Sequence, residues 1–353
     1  MEMARLHAQL APLLLEWWQA HGRRDLSWQK DPSPYRVWVS EIMLQQTQVP
    51  TVERYYDRFV AAFPDPTSLA DADTDQVLHL WSGLGYYARA RNLHRAARII
   101  RDDHQGEFPS QFDVLMSLPG IGRSTAGAIL SLAFGQRYPI LDGNVKRLLA
   151  RLFKVPGWPG SAKIARVLWA HAEQCTPVQA VANYTQAIMD FGATICTRQP
   201  HCERCPLQQD CAAYATGMVT DIPAPRPRRA RPRRAIVAMM LVREDDAVLL
   251  ERRPSEGIWG GLWGFPEVPD RAAVPEWCRQ RFGMAPLSER VCDTVHHSFT
   301  HFDLDIQPVA VRLPASALQV MEPGRWLWYK LEQPAQVGLA APVERLLKTW
   351  RTK

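Results

Sequence analysis

The sequence predicts a mainly α-helical domain that is joined by a short linker to a smaller α+β domain. Up to about Tyr214, apolar residues recur at intervals of three and four in several segments, and no convincing strand alternation occurs before residue 235. After residue 235, short runs alternate apolar and polar residues, as β-strands do. The chain has 353 residues, which is enough for about two domains.

Helices are predicted over residues 5–20, Tyr35–Thr47, Tyr86–Asp102 and Ser161–Gln174, with loops rich in Pro, Gly and Asp between them. The early run APLLLEWW is interrupted by Glu16 and lacks a following cleavage site of small residues. It therefore predicts one face of an amphipathic helix rather than a signal peptide. No run approaches the roughly 20 apolar residues of a membrane helix, so we expect a cytoplasmic protein without a membrane partner.

The linker is predicted at residues 222–234, IPAPRPRRARPRR, which contains four prolines and six arginines. The net charge of the chain is +6, so these arginines account for all of the formal excess. A segment of prolines and arginines with nothing that could pack a core favours an extended conformation. The segment is either a solvated spacer or a basic arm that lies on phosphates, and the sequence leaves both open.

The second domain is predicted to contain both strands and helices. AIVAMMLVRE and AVLLERR predict a hairpin around a turn at Glu244–Asp246. HFDLDIQPVAVRL predicts a further strand, and PVERLLKTWR predicts a closing helix. Together these segments indicate an α+β domain of roughly a hundred residues.

A group of four cysteines indicates a metal centre in the first domain. Thiolates spaced as C-x5-C-x2-C-x5-C can converge on one centre, and four of them suit either zinc or a [4Fe–4S] cluster. Because only one C-x2-C pair is present, the motif does not have the two such pairs of many zinc sites. The four residues are Cys196, Cys202, Cys205 and Cys211.

A glycine-containing turn is predicted to hold phosphate. In LPGIGRSTAGAIL, Gly120 and Gly122 permit a tight turn before a helix that begins at about Arg123. The amides at a helix N-terminus can bind a DNA phosphate without reading the base sequence. An ordinary helix–turn–helix connection is the alternative.

Two carboxyl groups are candidates for acid–base chemistry. Asp142 precedes a helix in ILDGNVKR, where the backbone amides are expected to lower its pKa and hold a carboxylate that could stabilise a sugar cation. Glu41 lies in an apolar helical run, either on the solvated face or in a base pocket. In a pocket, burial would raise the pKa of Glu41 and let it donate a proton.

The order of four motifs resembles that of the MutY adenine DNA glycosylases, in the endonuclease III superfamily. These are SEIMLQQTQV, LPGIG, LDGNVKR and the cysteine loop, and the similarity spans nearly all of residues 5–215. It implies a glycosylase domain over residues 1–221 with two helical lobes around DNA. The lobe boundaries that we expect are about 30–136 for one lobe, and about 1–29 with 137–221 for the other.

The resemblance also implies roles for particular residues. Glu41 would protonate adenine, Asp142 would stabilise the sugar cation, and the cysteines would hold a [4Fe–4S] cluster, although the first gap has five residues where the family usually has six. Related thymine-glycol lyases carry a nucleophilic lysine where this chain has Ser124. Its absence predicts a monofunctional enzyme, because no Schiff base can form there.

Further contacts follow from the resemblance alone. Gln46 and Tyr86 are expected to fill and wedge the site from which a base is flipped. The expected DNA contacts are Gln46, Tyr86, Gly120, Gly122, Ser124 and Lys146. The expected adenine pocket comprises Arg24, Leu26, Trp28, Leu44, Val49, Gln186 and Asp190. For Tyr86, Leu44 and Val49, packing in a helical core is the alternative.

The second domain, expected over residues 235–353, resembles a Nudix domain in GIWGGLWGFPE. The following segment, PDRAAVPEWCRQRFG, has no run of glutamates, so nucleotide hydrolysis is not expected. The resemblance implies instead a reader of 8-oxoguanine through Phe299, Thr300 and His301, where the family has Phe-Ser-His. The alternative is a strand with two surface histidines.

The expected function is therefore hydrolysis of the N-glycosidic bond of adenine opposite 8-oxoguanine or guanine. The enzyme would act as a monomer on double-stranded DNA, associated with the nucleoid through that DNA. Two alternatives remain at this point: a bifunctional glycosylase–lyase that acts on oxidised pyrimidines, and a non-catalytic mismatch-binding protein.

Overall fold

The computed structural model divides the chain into two compact units. The first unit comprises Met1–Asp71 and Asn92–Arg228, and the second comprises Ala72–Arg91 and Arg229–Lys353. The structure describes residues 2–227, 230–243, 245–313 and 324–351. Arg228 and Arg229 of the expected linker, and Glu244 of the expected hairpin turn, lie outside these ranges.

The part of the chain before the linker is helical, as the sequence predicts. Two 3-10 turns, Ser27–Gln29 and Cys202–Arg204, supplement the α-helices. No strand precedes Arg233 within the described ranges. The helices are α1 Glu2–His21, α2 Pro34–Leu44, α3 Val49–Ala62, α4 Pro66–Asp71, α5 Thr74–Trp81, α6 Ala88–His104, α7 Phe112–Ser117, α8 Arg123–Phe134, α9 Gly143–Leu152, α10 Ala162–Cys175, α11 Val181–Thr194 and α12 Ala212–Ala215.

Local sequence sets where these helices begin and end. Ser33 caps α2 by accepting from the Arg36 amide and is followed by Pro34 in the first turn. Helix α8 ends at Phe134 and is capped by Gly135, whose φ of 65° is left-handed and favours glycine. None of the described helices is both long and apolar enough to cross a bilayer.

The core of the first unit packs α1, α8, α9 and α11 together. Leu10, Leu14, Leu149 and Phe191 are completely buried there, and the ring of Trp17 meets Phe191 edge-on at 4.9 Å. At Gly127 in α8, an added Cβ would lie 2.5 Å from the carbonyl oxygen of Pro139. Only glycine permits this approach, which brings the segment before α9 against α8.

In the described part of the second unit, a mixed eight-stranded sheet has the path β3-β2-β1-β7-β5. Strands β4, β6 and β8 pair with β1, β7 and β2, respectively. The β1–β2 pair is the predicted antiparallel hairpin, whereas β1 and β7 are parallel over their full length. The strands are β1 Arg233–Val242, β2 Val248–Arg252, β3 Trp263–Gly264, β4 Glu267–Val268, β5 Ser288–Val291, β6 Val295–Ser298, β7 Asp303–Arg312 and β8 Trp326–Tyr329.

Helices α13 Ala273–Phe282 and α14 Ala341–Arg351 also belong to this α+β unit. Met239, Leu241, Leu249, Val309 and Val311 form its core with the buried side of α13. The predicted fold class, a helical domain followed by an α+β domain, is confirmed.

The second unit also includes residues 72–91, a stretch that the sequence pattern assigned to a helical lobe. Asp75 in α5 accepts hydrogen bonds at 3.2 Å from both Trp263 Nε1 and Arg252 Nη2. The Tyr87 hydroxyl donates to the Leu339 carbonyl at 3.2 Å. This stretch is therefore joined to the sheet by polar contacts that helical periodicity does not reveal.

Candidate active site

A cleft in the first unit brings the two candidate carboxyl groups together. Its volume of about 1620 Å³ exceeds the roughly 300–1,000 Å³ of ordinary small-molecule pockets. The loop before α2, the α2–α3 turn and the starts of α8 and α9 line the cleft, with α11 on the far side. A groove of this size can accept part of a macromolecule as well as a single extruded base.

Glu41 lies on α2, is half-buried and lines the cleft together with Leu44 and Val49. Burial raises the pKa of Glu41 to about 8, and the nearby charge of Asp142 contributes in the same direction. At neutral pH the side chain is therefore mostly protonated and can donate a proton to a leaving base.

Asp142 is the N-cap of α9, as its position in the sequence indicates. Its Oδ1 accepts from the Val145 amide at 2.7 Å, and its Oδ2 accepts from Asn144 Nδ2 at 3.4 Å. Burial raises the pKa of Asp142, and the amide hydrogen bonds and the nearby Arg147 and Lys146 oppose that rise without cancelling it. The expected lowered pKa was therefore wrong, because desolvation in the cleft outweighs the helix N-terminus.

The two carboxyl groups nevertheless have different environments. Both lose solvation, but helix amides and two cations stabilise the negative charge of Asp142. Among the described residues, no comparable hydrogen bond or cation contributes to the pKa shift of Glu41, where the charge of Asp142 adds to the cost of ionisation. When the pair carries one proton, Glu41 is therefore the side chain that holds it.

Ser124 has a structural contact at the position where related lyases carry lysine. Its hydroxyl accepts from the Leu141 amide at 2.9 Å, which fixes the residue before Asp142. Ser124 and Asp142 both line the cleft. The hydroxyl thus helps to position the N-cap of α9.

The predicted phosphate-binding turn joins α7 to α8. Gly120 has a φ of 84°, and a Cβ there would lie 3.0 Å from the Cβ of Asn92. Gly122 is the N-cap of α8, and within the described ranges no side chain caps this helix. The first-turn amides are thus not occupied by a capping side chain, which suits an anion.

Most of the expected pocket residues line the cleft. They are Arg24, Leu26, Trp28, Leu44, Val49 and Gln186. Leu26 and Trp28 are themselves largely buried, and the Trp28 ring meets Tyr56 edge-on at 5.4 Å. Leu26 and Trp28 thus combine core packing with cleft lining. Leu44 and Val49, for which core packing was the alternative, are half-buried and line the cleft.

Asp190 is the exception among the expected pocket residues, because it does not line the cleft. Its carboxylate is fully buried and accepts from Trp18 Nε1 at 3.1 Å and Gln186 Nε2 at 3.0 Å. It also binds the Arg23 backbone amide at 3.0 Å and the Arg23 guanidinium at 2.6 Å. Asp190 therefore does not face the cleft but positions Trp18, Arg23 and Gln186, which do.

The two residues expected to fill the site of a flipped base each have a left-handed backbone conformation. Gln46 has a φ of 60° and is exposed at the edge of the cleft. Tyr86, in the second unit, has a φ of 46°, and its side chain is 47% exposed. Left-handed conformations of residues other than glycine are costly and concentrate at functional sites.

Lys146 lies in the first turn of α9, next to the cleft residue Arg147.

The four cysteines line one small cavity beside Leu148 and Leu207. Within the described ranges, no group of three or more His, Cys, Asp or Glu side chains is arranged to hold a single metal ion. Burial raises the pKa of Cys205 to about 12, and the charges of the other three thiols add to the rise. Four thiols around one cavity fit a sulfur-ligated group, which would bind them as thiolates.

Two arginines of α9 donate hydrogen bonds to the cysteine loop, a role that the sequence did not predict. Arg151 donates to the Thr197 carbonyl at 2.6 Å and to Cys196 Sγ at 3.4 Å. Arg147 donates to the Cys196 carbonyl at 2.7 Å and to Asn144 Oδ1 at 2.9 Å. Both side chains come from LDGNVKRLLAR, but their partners in the cysteine loop lie more than forty residues away, so no local signal reveals these contacts.

The tripeptide Phe299, Thr300 and His301 forms the turn between β6 and β7. The Phe299 amide donates to the Phe302 carbonyl at 2.9 Å and closes the turn. Phe299 is half-buried, whereas Thr300 and His301 are exposed. The turn therefore presents a hydroxyl and an imidazole to solvent, beyond the strand itself.

The fold and the cleft define a class of protein, and comparisons with known proteins agree with it. Residues 39–190 match the family described as "HhH-GPD superfamily base excision DNA repair protein", and residues 237–349 match the NUDIX domain family. A solved structure of a thermostable thymine-DNA glycosylase covers 58% of this chain and 95% of its own, with a TM-score of 0.53 and 28% identity. The first unit is thus that of a helix-hairpin-helix base-excision protein.

Curated relatives narrow the class to one family. An adenine DNA glycosylase of Buchnera aphidicola subsp. Acyrthosiphon pisum is 38% identical over 96% of this chain and 97% of its own. The adenine DNA glycosylase of Mus musculus is 34% identical over 90% of this chain and 73% of its own. The chain belongs to the adenine DNA glycosylase family.

Proposed function

We propose that this protein removes adenine from DNA by hydrolysing its N-glycosidic bond, when the adenine is paired with 8-oxoguanine or guanine. The observation that best supports the proposal is the pairing of Glu41 and Asp142 in one cleft. Burial raises the pKa of Glu41 to about 8, whereas amide hydrogen bonds and nearby cations favour the charged form of Asp142. A purine leaves readily only when it is protonated, and the sugar cation that remains needs a nearby negative charge. The cleft supplies both.

The steps follow from the positions of these side chains. The extruded adenine enters the cleft beside Leu26, Trp28 and Leu44, which exclude water from its ring. Glu41 donates its proton to a ring nitrogen, and the bond from that base to the sugar breaks. The carboxylate of Asp142 stabilises the resulting cation until water adds to the sugar carbon. The Glu41 carboxylate left by the first step then takes up the proton that this water loses.

The reaction is proposed to stop at the abasic site. Strand cleavage by a lyase requires an amine that forms a Schiff base with the sugar. At the position of that amine, the Ser124 hydroxyl accepts a backbone hydrogen bond. The bifunctional alternative would need another amine in the cleft.

DNA binding combines several features of the chain. The uncapped start of α8 would accept a phosphate, with Gly120 and Gly122 permitting the close approach. Gln46 and Tyr86 would occupy the space left by the extruded base, and Lys146 would contact a phosphate. We further propose that the enzyme acts on double-stranded DNA as a monomer, within the compartment that contains the nucleoid.

A [4Fe–4S] cluster is proposed as the resident group of the cysteine loop. Cys196, Cys202, Cys205 and Cys211 would be its ligands, and Arg151 would donate to the sulfur of the first. When bound, the cluster supplies structural cross-linking of the loop. The loop in turn accepts the hydrogen bonds of Arg147 and Arg151, so it supports α9 and the Asp142 at its start.

The second unit is proposed to recognise the base opposite adenine. Thr300 and His301 offer hydrogen-bond donors and acceptors on an exposed turn. In α13, Glu276 is exposed and bonded to Arg279 and Gln280. No run of glutamates suited to binding a metal for nucleotide hydrolysis is present in that helix, all of which is described.

The test is the substitution Asp142→Asn, with Asp113→Asn as the matched control, since Asp113 is an exposed carboxyl of α7. We expect Asp142→Asn to bind an adenine–8-oxoguanine duplex within about threefold of the wild type. Its single-turnover adenine release should fall by at least about 10³-fold, because the cation loses its counter-charge. The control should retain both properties.

Near-normal release by Asp142→Asn would remove this residue from the mechanism. Tight binding of the mismatch without any adenine release by the wild-type protein would instead favour the non-catalytic alternative.

A further inference from the structure

An aromatic cluster surrounds the proposed lesion-reading turn in the second unit. The Phe299 ring stacks on Phe302 at 4.6 Å and meets His297 edge-on at 4.5 Å. His297 lies in β6, and Phe302 lies between β6 and β7, so both belong to the same hairpin as Phe299. Within the hairpin alone, the Phe299 ring thus has a stacking contact with Phe302 and an edge contact with His297.

Trp259 extends this cluster from a different part of the sequence. Its ring lies 5.1 Å from the Phe299 ring and 5.3 Å from the His297 ring, both at tilted angles. These distances are in the range of favourable aromatic pairs. Trp259 therefore packs against the first residue of the Phe299–His301 turn from outside the hairpin.

The backbone holds Trp259 in an unusual conformation. Its φ is 54°, a left-handed value that is rare for a tryptophan. The following residue must be glycine, because a Cβ on Gly260 would lie 2.3 Å from the Ser255 carbonyl oxygen. The turn is closed by the Leu262 amide, which donates to the Trp259 carbonyl at 3.0 Å. A strained residue fixed by its surroundings indicates a functional constraint.

The same turn is bonded to the stretch that carries Tyr86. Arg91 Nη1 donates to the Gly260 carbonyl at 2.6 Å, and the Arg91 side chain is partly buried at that contact. Gly261 packs beside Leu78 and Arg91. The turn at residues 257–261 therefore contacts the lesion-reading turn on one side and residues 78–91 on the other.

We propose that Trp259 is a positioning residue for recognition of the base opposite adenine, and that its turn couples Phe299 to the stretch bearing Tyr86. This inference rests on the proposed function, in which the Phe299–His301 turn reads 8-oxoguanine. The Trp259 ring holds Phe299 in place, and Arg91 holds the turn that presents the ring. The distance between Tyr86, which would insert into the DNA, and Thr300, which would contact the base opposite adenine, is then fixed.

The experiment compares single-turnover adenine release from duplexes with 8-oxoguanine or guanine opposite adenine. Trp259→Asn removes the ring but keeps a residue that tolerates left-handed backbone. Trp259→Phe retains an aromatic ring, and Arg91→Met removes the hydrogen bond while keeping an aliphatic side chain. Trp328→Asn is the matched control, since Trp328 is a half-exposed tryptophan of β8 in the same unit.

We expect Trp259→Asn to lower the ratio of the 8-oxoguanine rate to the guanine rate by about tenfold, as the loss of two ring contacts implies. The guanine rate itself should change little. Trp259→Phe should recover most of the ratio, Arg91→Met should lower it by about threefold, and Trp328→Asn should leave it unchanged.

Three outcomes separate the possible failures. Equal falls on both duplexes, with a lower melting temperature, would show a merely structural role and overturn the inference. An unchanged ratio in Trp259→Asn would also overturn it. A wild-type protein without any preference for 8-oxoguanine would instead contradict the proposed role of the Phe299–His301 turn, on which the inference rests.

Discussion

The substitution Glu41→Gln should stabilise the protein, and the gain should grow with pH. Burial raises the pKa of Glu41 from its ordinary 4.5 to about 8. Between these values the unfolded chain loses the Glu41 proton, whereas the folded protein keeps it. The contribution of Glu41 to stability is therefore complete below about pH 4.5 and is lost as the pH rises towards 8. Glutamine cannot ionise, so the variant avoids this loss.

The magnitude follows from the size of the shift. Between the two pKa values, the wild-type free energy of unfolding falls by about 1.4 kcal/mol for each pH unit. From pH 5 to 7.5, the relative gain of Glu41→Gln therefore has an upper limit of about 3.4 kcal/mol. Glu41 is only half-buried at the surface of the cleft. Because solvent reduces the penalty, we expect a relative gain of about 2 kcal/mol, or about 4–8 °C in melting temperature.

Thermal unfolding of the full chain, followed by circular dichroism at pH 5 and pH 7.5, measures this gain. The control is Glu53→Gln, an exposed carboxyl of α3. Subtracting the wild-type curve from each variant curve removes the effects of the titrating groups that do not interact with the substituted residue. A difference between Glu41→Gln and wild type that stays constant with pH would refute the reasoning, since Glu41 would then titrate like an exposed carboxyl.

Three other predictions concern the support of the site and its chemistry. Asp190→Asn should lower stability by about 2–3 kcal/mol in urea unfolding, since it leaves the Arg23 guanidinium without its buried partner; the exposed Asp71→Asn should cost less than about 1 kcal/mol. Cys205→Ser should lower the iron content and the visible absorbance of the purified protein, whereas a wild-type protein with zinc and no iron would contradict the cluster. Single-turnover adenine release should fall as the pH rises through about 8, where Glu41 loses its proton, and a rate that is flat up to pH 9.5 would exclude Glu41 as the acid.

Residue type and short spacing were enough to predict the local parts of the site. The start of α8 at Arg123 and the capping position of Asp142 follow from glycine and aspartate at helix boundaries, and the structure has both. The strand alternation after residue 235 likewise predicted β1, β2 and β7. These features depend on a few neighbouring residues, so a sequence window contains the information.

Features that depend on distant contacts could not be read in this way. The pKa of Asp142 was expected to fall, but burial by other segments of the cleft raises it. Asp190 was expected to face the pocket, but its partners Trp18 and Arg23 come from the N-terminal end of the chain and enclose it. Residues 72–91 belong to the second unit because of contacts such as Asp75 with Trp263, 188 positions away.

The most direct test of the central claim is single-turnover cleavage of labelled duplexes that carry adenine opposite 8-oxoguanine, guanine or thymine. Each reaction is quenched both with and without hot alkali, which breaks the strand at an abasic site. We predict breaks only after alkali, and only for the first two duplexes. Breaks without alkali would reveal lyase activity by a nucleophilic amine elsewhere in the chain, since Ser124 has none. No adenine release from any duplex would contradict the roles of Glu41 and Asp142.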